Sequence, residues 1–349
     1  MLLKGNSIMK VTIADVAKRA KVSKTTVSRI LNGNYAHASE ETIKKVLKAI
    51  EELDYSPNAL AKGLKSMRTH VIGLVLSNLK NPFWTTVLEG LEDTCRDLGY
   101  HLMICNSNED PEMEEKYLKS LRERQVDGVI LNPTCKNPQL YEKLAEQRYP
   151  FVFINRRVQG VRASSVVVDN VKGAYIAVNH LVRYGRRKVA ICIYRNEYVS
   201  TWKDRLEGYK KAILANGMTD EDLIVIELEQ HADNQQEVIM RQLKKRPEID
   251  AIFSTNNMIT LEVIGAAREL GLAMPDQLAL VSYDETVWAR YLDPPVTTIR
   301  QPGYKLGQTA AQTLIDRITS GGDGEPSVVM LEPELIVRAS CGAMSFEIR

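Results

Sequence analysis

The spacing of hydrophobic positions changes near residue 70 of this chain. Before that point, apolar residues recur three and four positions apart, which is the spacing of an amphipathic helix. The first such set is Ile13, Val16, Ala17 and Ala20. After that point, short continuous apolar runs alternate with amphipathic stretches, a pattern typical of a buried parallel sheet with helices on both faces. The pattern predicts a small helical domain followed by a larger α/β domain.

Eight apolar runs give the predicted strands of the second domain. They occur in two successive sets, which predicts two similar lobes. The runs are VIGLVLSN (71–78), HLMICN (101–106), DGVILNP (127–133), FVFINR (151–156), VAICIY (189–194), LIVIEL (223–228), AIFSTNN (251–257) and LALVSYD (278–284). Because ligands of such sheets bind at the carboxyl ends of strands, the first candidates are the polar residues that end these runs: Ser77-Asn78, Asn155-Arg156, Asn256-Asn257 and Asp284.

Capping signals predict three helices in the first domain. Thr12 followed by Asp15 matches a capping box and starts the first helix. Lys21-Val22 makes a tight turn, Ser23 caps a second helix, and Ser39 starts a third. Two short helices joined by a tight polar turn are typical of a helix-turn-helix, whose second helix fits a DNA major groove.

The second helix has a polar outward face. Thr25 and Arg29 lie four positions apart on that face, with Lys24 beside them in the first turn. The first 70 residues contain 13 Lys and Arg against 6 Asp and Glu, although the whole chain has a net charge of only +2. This basic head indicates a module that binds a polyanion. The alternative is a plain three-helix bundle with solvated basic residues.

Several other classes of protein are disfavoured. The five cysteines are scattered without metal-ligand or redox spacing, so we expect no metal and no cofactor. No GxGxxG or Walker pattern follows the first strand, and the five histidines do not cluster with a nucleophile, which argues against an enzyme. The absence of a long apolar run predicts no signal peptide, no membrane contact and a cytoplasmic location.

The head resembles the headpiece of the LacI/GalR family of bacterial repressors. The resemblance rests on VTIADVAKRAKVSKTTVSRILNG (11–33) and on SEETIKKVLKAIEELDYSPNALAKGLKS (39–66). It implies that the second helix reads bases, with Lys24 and Thr25 setting operator preference and Arg29 pairing with guanine. It also implies a hinge helix in which Leu64 wedges into the central base step from the minor groove. The DNA-binding residues implied are Thr12, Ser23, Lys24, Thr25, Ser28, Arg29, Asn32, Ser39, Thr42, Asn58, Ala61, Lys62 and Leu64.

The body resembles the effector domain of the same family, which is similar to periplasmic sugar-binding proteins. Markers of the resemblance include NPFWTTVLEGLED, RLEGY, AIFSTNN and PPVTTIRQPGYKLGQTA. The resemblance implies a homodimer with an effector cleft between the lobes of each protomer. The effector-binding residues implied by strand ends and resemblance together are Ser77, Phe83, Trp84, Asn155, Arg156, Trp202, Arg205, Asn256, Asp284 and Gln301.

These patterns give a domain plan. We expect a helix-turn-helix headpiece at 1–56, a hinge helix and linker at 57–70, and an effector-binding and dimerisation domain at 71–349. Within the effector-binding and dimerisation domain, the first lobe covers about 71–170 plus 301–331, and the second lobe covers about 171–298 plus 332–344. The fold class is thus an α-helical headpiece joined to a two-lobed α/β domain like a periplasmic-binding protein.

Departures from the family pattern suggest an acidic effector. Asn155-Arg156-Arg157 stands where many members have Asp-Arg, and Asn256-Asn257 where many have Asn-Asp. Each change replaces a carboxylate with an amide, and the loop from Tyr194 to Lys203 adds cationic residues. Cationic donors suit a carboxylate or phosphate, so we predict a sugar acid, ketodeoxy sugar acid or sugar phosphate. The alternative is that these charges lie solvated on the rim.

The functional prediction is a sequence-specific DNA-binding regulator of carbohydrate catabolism, most simply a repressor, that binds palindromic operator DNA as a homodimer. The sequence as a whole is similar to regulators of 2-keto-3-deoxygluconate and uronate use. The effector acts by stabilising one dimer geometry over another, and it could act as an inducer or as a corepressor. The rival predictions are a periplasmic-type sugar-binding protein and a doubly wound α/β enzyme.

Overall fold

A computed structural model describes residues 11–31, 33–36, 38–55, 68–321 and 324–343. The chain divides into two compact units, Met1–Thr69 and His70–Arg349. Each unit has its own hydrophobic core. Among the helices that the structure describes, none is both long and apolar enough to cross a membrane.

Three helices form the first unit: α1 (Ile13–Ala20), α2 (Lys24–Leu31) and α3 (Glu40–Glu52). The predicted capping box is confirmed, since the Asp15 carboxylate accepts hydrogen bonds from the Thr12 backbone N–H at 2.8 Å and from its Oγ1 at 2.6 Å. Lys21 ends α1 in the left-handed conformation at φ 55°, which makes the turn into α2 tight. The core is formed by Val16, Ala17, Ala20, Val27, Ile30, Val46 and Ala49.

The first lobe of the second unit is built on a six-stranded sheet. Its strand order is β11-β5-β4-β3-β1-β2, and all of its strand pairs are parallel. The strands are β1 (Val71–Leu76), β2 (His101–Asn106), β3 (Gly128–Leu131), β4 (Phe151–Ile154), β5 (Ser164–Val168) and β11 (Val328–Leu331). The helices that follow β1, β2 and β3 are α4 (Phe83–Asp97), α5 (Pro111–Glu123) and α6 (Pro138–Glu146).

The second lobe repeats this plan. Its strand order is β12-β10-β9-β8-β6-β7, and only the β10–β12 pair is antiparallel among the described strands. The strands are β6 (Val189–Tyr194), β7 (Ile224–Leu228), β8 (Ala251–Ser254), β9 (Ala279–Tyr283), β10 (Thr297–Arg300) and β12 (Glu334–Ile336). The helices are α7 (Asn170–Arg183), α8 (Ser200–Ala215), α9 (Gln235–Lys245) and α10 (Asn257–Glu269).

The chain passes between the lobes after β5, after β10 and after β11. Helix α11 (Gly303–Thr319) follows β10 and packs against α4 in the first lobe. That packing needs glycine, because a Cβ at Gly307 would lie 2.1 Å from the Val87 carbonyl oxygen, and one at Gly90 would lie 2.1 Å from the Tyr304 carbonyl oxygen. The two helices therefore approach at backbone contact, and this fixes the position of α4 against α11.

Candidate functional site

Helix α2 presents the polar face that the sequence predicts. Lys24, Thr25 and Arg29 are all exposed, whereas Val27 and Ile30 are buried against the other two helices. An exposed row of donors on a helix held by its opposite face can meet base edges in a major groove. The geometry of α2 therefore fits the role implied for these three residues.

Two of the implied DNA-binding residues, Ser23 and Ser39, also cap helices. The Ser23 Oγ accepts the Thr26 backbone N–H at 3.0 Å, and the Ser39 Oγ accepts the Thr42 backbone N–H at 3.3 Å. Helix N-termini favour anions because their backbone N–H groups and dipole point outward. Ser28 and Thr42 are half-buried. The other implied DNA contacts lie outside the described residues: Asn32, Asn58, Ala61, Lys62 and Leu64.

A cleft of about 200 Å³ lies between the two lobes, at the carboxyl ends of both sheets. All ten residues that the sequence predicts for the effector site line it, together with Asn78. The strand-end rule explains this convergence, because parallel strands bring their carboxyl ends to one edge of a sheet. The ten are Ser77, Phe83, Trp84, Asn155, Arg156, Trp202, Arg205, Asn256, Asp284 and Gln301.

Sequence reasoning missed other residues that line the cleft. The same strand-end signal could have found several of them, because Asn132 directly follows β3 and Gln230 comes two residues after β7. Glu109 comes three residues after β2, in a loop where its φ of 63° turns the chain back toward the cleft. The complete set missed is Lys80, Asn81, Glu109, Asn132, Tyr194, Thr201, Gln230, His231, Gln235 and Met258.

Arg205 is a buried cation without a carboxylate partner among the described residues. Its Nε donates to Asn170 Oδ1 at 2.8 Å, and its Nη1 donates to the Thr255 carbonyl oxygen. The guanidinium carbon lies 3.6 Å from the centre of the Tyr283 ring, so the cation stacks on an aromatic face. These contacts orient the group but do not neutralise it.

Arg156, in contrast, is already paired. Its two terminal nitrogens donate to the two carboxylate oxygens of Glu109 at 2.6 and 2.9 Å, and Nη1 also donates to the Pro133 carbonyl oxygen at 2.9 Å. Both side chains are nearly inaccessible to solvent. Burial opposes ionisation of Glu109, but the charge and hydrogen bonds of Arg156 outweigh it and hold the pKa of this carboxyl below its usual value.

Asp284 is held by two amides rather than by a cation. Its Oδ1 accepts a hydrogen bond from Gln301 Nε2 at 2.5 Å, and its Oδ2 accepts one from Asn81 Nδ2 at 3.2 Å. The residue is 2% exposed and takes the left-handed conformation, with φ at 78°. The carboxylate keeps free lone pairs, which suit the hydroxyl groups of a ligand.

Four polar atoms of the cleft are buried without a hydrogen-bond partner among the described residues: Asn155 Oδ1, Arg156 Nε, Trp202 Nε1 and Gln301 Oε1. Leaving one such group unsatisfied costs about 1–3 kcal/mol. Proteins seldom keep buried polar groups unpaired, so a cluster of them is typical of a site that receives polar partners. The mixture of donors and acceptors matches a molecule rich in hydroxyl groups.

Aromatic side chains form part of the cleft wall. Phe83 and Trp84 begin α4, with ring centres 5.5 Å apart. Both also pack in the core of the first lobe, where they are 8% and 4% exposed. Trp202 begins the second lobe's α8 and packs edge-on against Tyr194. Such faces pack well on the apolar side of a sugar ring.

The sequence-based count of cations in the cleft is wrong at the loop residues. Arg157 pairs with Asp204 at 3.1 Å, and Arg195 reaches Glu227 and Glu229, each at 3.0 Å. Neither arginine lines the cleft, and Lys203 does not line it either. The two arginine side chains are held instead by carboxylates on neighbouring elements. The charged residues that remain in the lining are Lys80, Arg156, Arg205, Glu109 and Asp284.

Family models match both units of the chain. Residues 12–58 match the model described as "Bacterial regulatory proteins, lacI family". Residues 69–335 match the model described as "Periplasmic binding proteins and sugar binding domain of LacI family". The two matches together exclude the rival predictions, because neither an isolated periplasmic protein nor an α/β enzyme carries this headpiece.

Named relatives agree with these matches. The HTH-type transcriptional regulator KdgR of Bacillus subtilis is 33% identical over 94% of this chain and 97% of its own length. The HTH-type transcriptional repressor PurR of Photobacterium profundum is 32% identical over 94% of this chain and 98% of its own length. Both alignments span the headpiece and the effector domain.

Solved structures confirm the fold class. A transcriptional regulator CelR–cellobiose complex is 30% identical, with a TM-score of 0.69 over 95% of this chain and 100% of its own. The lac repressor dimer bound to operator and the anti-inducer ONPF is 25% identical, with a TM-score of 0.82 over 95% of this chain and 99% of its own. This chain belongs to the LacI family of bacterial regulatory proteins and is a DNA-binding transcriptional regulator, not an enzyme.

Proposed function

We propose that this protein represses genes of carbohydrate catabolism and that a sugar-like effector, bound in the cleft, sets its affinity for operator DNA. The observation that carries the effector is the cleft itself, where aromatic faces stand beside four unpaired polar atoms. The relative CelR was solved with cellobiose, and another family member with ribose. A carbohydrate therefore fits both the chemistry of this cleft and the ligands of related proteins.

We further propose that the effector carries an acidic group. Arg205 supports this, since it is buried and has no carboxylate partner among the described residues. Arg156 cannot serve equally well, because Glu109 occupies its terminal nitrogens. A carboxylate or phosphate on Arg205 and hydroxyl groups on Asp284 would use the two buried charged groups of the lining that no described ion pair satisfies. Sugar acids, ketodeoxy sugar acids and sugar phosphates have this combination.

On the DNA side, the protein acts as a homodimer on a palindromic operator. The exposed face of α2 reads the major groove through Lys24, Thr25 and Arg29. Leu261 on α10, an exposed apolar residue outside the cleft lining, supports a dimer surface on the second lobe. A transcriptional regulator binds chromosomal DNA, which lies in the bacterial cytoplasm, so we propose a cytoplasmic location.

Isothermal titration calorimetry tests the effector. D-gluconate, 2-keto-3-deoxygluconate, D-glucuronate and glucose 6-phosphate are compared with glucose, ribose and cellobiose on the full chain. The proposal expects at least one acidic compound to bind about tenfold or more tightly than every neutral sugar, a difference of about 1.4 kcal/mol. Binding of a neutral sugar with no binding of the acids would overturn the acidic assignment but keep the carbohydrate.

Two variants sharpen the experiment. Arg205→Gln removes the unpaired cation and should abolish the preference for acids. Arg195→Gln removes a cation that lies outside the cleft lining and pairs with exposed carboxylates, and it should leave the preference unchanged. Equal effects of the two substitutions would show that general charge, and not Arg205, sets the preference.

A further inference from the structure

One amide side chain joins the two lobes across the cleft. Asn81 precedes α4 in the first lobe, and its Oδ1 accepts the Phe83 backbone N–H at 2.8 Å. The same oxygen accepts a hydrogen bond from Asn257 Nδ2 in the second lobe at 2.8 Å. On its other side, Asn81 Nδ2 donates to Asp284 Oδ2, also in the second lobe, at 3.2 Å. Its acceptor and its donor are thus both used between the lobes.

The chemistry of these contacts fixes the residue types. Asp284 can only accept when ionised, so Asn81 must turn its Nδ2 toward it. The Oδ1 of Asn81 is then left facing Asn257, which must donate. A carboxylate at 257 would face the Asn81 Oδ1 with no proton to donate, so this contact would be repulsive as long as Asn81 keeps its bonds to Asp284 and to the Phe83 N–H. This accounts for an asparagine at 257, where the family pattern has aspartate.

The bridge ends on two parts of the proposed effector site. Asp284 is the carboxylate assigned to ligand hydroxyls, and Phe83 begins the helix turn that carries the aromatic wall. Asn257 is fully buried at the first position of α10, directly after the lining residue Asn256. One side chain therefore connects the Asp284 carboxylate to the first turn of α4.

We propose that Asn81 is a positioning residue that latches the lobes together and orients Asp284 for the effector. The latch rests on the proposed function, because the effector is what Asp284 is oriented to bind. Its partner in the latch is Asn257. The hydrogen bond between the two amide side chains strengthens effector binding only while both asparagines are present. Asn81 thus sets effector affinity without being assigned a contact with the effector.

A double-mutant cycle tests the latch. Asn81→Ala, Asn257→Ala and the double variant are titrated with the tightest compound found by calorimetry. Each single change should weaken binding about tenfold, and the double change should weaken it by about the same factor, because either removal opens the latch. Losses that multiply to about a hundredfold, or single variants with wild-type affinity, would contradict the proposal.

An isosteric variant separates latching from local structure. Asn81→Asp keeps the acceptor for the Phe83 N–H and for Asn257, but it places an oxygen against the Asp284 carboxylate. A purely structural role as a cap predicts wild-type affinity, because aspartate caps as well as asparagine. The latch predicts a loss at least as large as that of Asn81→Ala. Asn216→Ala is the matched control, since Asn216 lies outside the cleft lining and its Nδ2 donates to Asn179 Oδ1 at 3.0 Å, an amide–amide hydrogen bond within the second lobe.

Hydrogen exchange keeps this test independent of the effector. Without any ligand, Asn81→Ala should speed exchange in 255–262 of the second lobe as well as near residue 83, whereas Asn216→Ala should leave 255–262 unchanged. If the wild type binds no carbohydrate, the proposed function fails and this measurement still judges the latch. Unaltered exchange in 255–262 would overturn it.

Discussion

The guanidinium of Arg156 forms a two-pronged ion pair with the Glu109 carboxylate, at 2.6 and 2.9 Å, inside the cleft between the lobes. The two residues are 47 positions apart in the chain, and both side chains are almost fully buried. The pair leaves Arg205 as the buried cation of the lining without a carboxylate partner among the described residues. It therefore assigns different roles to two arginines that look equivalent in the sequence.

Removal of Glu109 should be costly for stability. Glu109→Ala leaves the Arg156 cation buried without its counter-charge, and breaking a buried pair in this way typically costs about 3–5 kcal/mol. Urea unfolding of the effector domain, followed in the full chain, measures the loss. The control is Glu227→Ala, which breaks an exposed pair with Arg195 and should leave the unfolding midpoint unchanged. Similar midpoints for the two variants would contradict the assignment.

The contact between α4 and α11 should not tolerate a methyl group. Gly307→Ala would place a Cβ 2.1 Å from the Val87 carbonyl oxygen, so the helices must separate. Overpacking of this kind costs roughly 1–3 kcal/mol, and we expect a lower melting temperature in calorimetry. Gly324→Ala is the matched control, because a Cβ there meets nothing within 4 Å. Equal melting temperatures would show that the helices can move apart freely.

The headpiece should lose a stabilising contact in acid. Hydrogen bonds from the Thr12 side chain and backbone lower the pKa of the Asp15 carboxyl below its ordinary 3.8. Because the folded pKa is the lower one, the stabilisation is complete above 3.8 and is lost as the pH falls through the folded value. Hydrogen exchange over 12–20 should therefore be slower in the wild type than in Asp15→Asn at neutral pH, and the difference should vanish in strong acid. A difference that persists there would contradict the capping role.

Arg29 should contribute specificity rather than general DNA affinity. Arg29→Lys keeps the charge but loses the planar fork that pairs with guanine, so binding to the selected operator should weaken by about 1–3 kcal/mol. The affinity for random duplex, and its salt dependence, should stay unchanged, because the substitution keeps the positive charge that attracts the DNA phosphates. Arg19→Lys is the control, since Arg19 pairs with Glu52 within the headpiece. Anisotropy titrations with both duplexes distinguish these outcomes.

Periodicity and strand ends predicted much of this molecule. The capping box at Thr12, the polar face of α2 and eight of the twelve strands that the structure describes follow from local patterns, and ten cleft residues follow from strand ends and family resemblance. The strands that were missed are short or begin with polar residues, as in SSVVV (164–168) and TTIR (297–300). On α3, helical spacing also predicts an apolar stripe of Ile43, Val46, Leu47, Ile50 and Leu53, and this prediction is wrong at Leu47, which is 49% exposed.

Pairing between distant residues was the part that sequence could not reveal. Whether a cation predicted for the cleft is neutralised depends on which carboxylate the fold brings near it: Glu109 pairs with Arg156 inside the cleft, and Asp204 pairs with Arg157 outside its lining. Likewise, nothing local marks Asn81 as a bridge, because its partners Asn257 and Asp284 lie 176 and 203 positions away. Local patterns therefore located the cleft. The three-dimensional contacts were needed to show which of its charges are paired and which side chain joins the two lobes.

The most direct test of the account measures DNA affinity with the effector bound. An operator is selected from random duplexes by the full chain, and its affinity is measured by fluorescence anisotropy with and without a saturating sugar acid whose binding calorimetry has established. Coupling between two sites typically changes affinity by about 5–150-fold, and the account predicts a change of that size in one direction. The same operator affinity with and without the bound effector would contradict it.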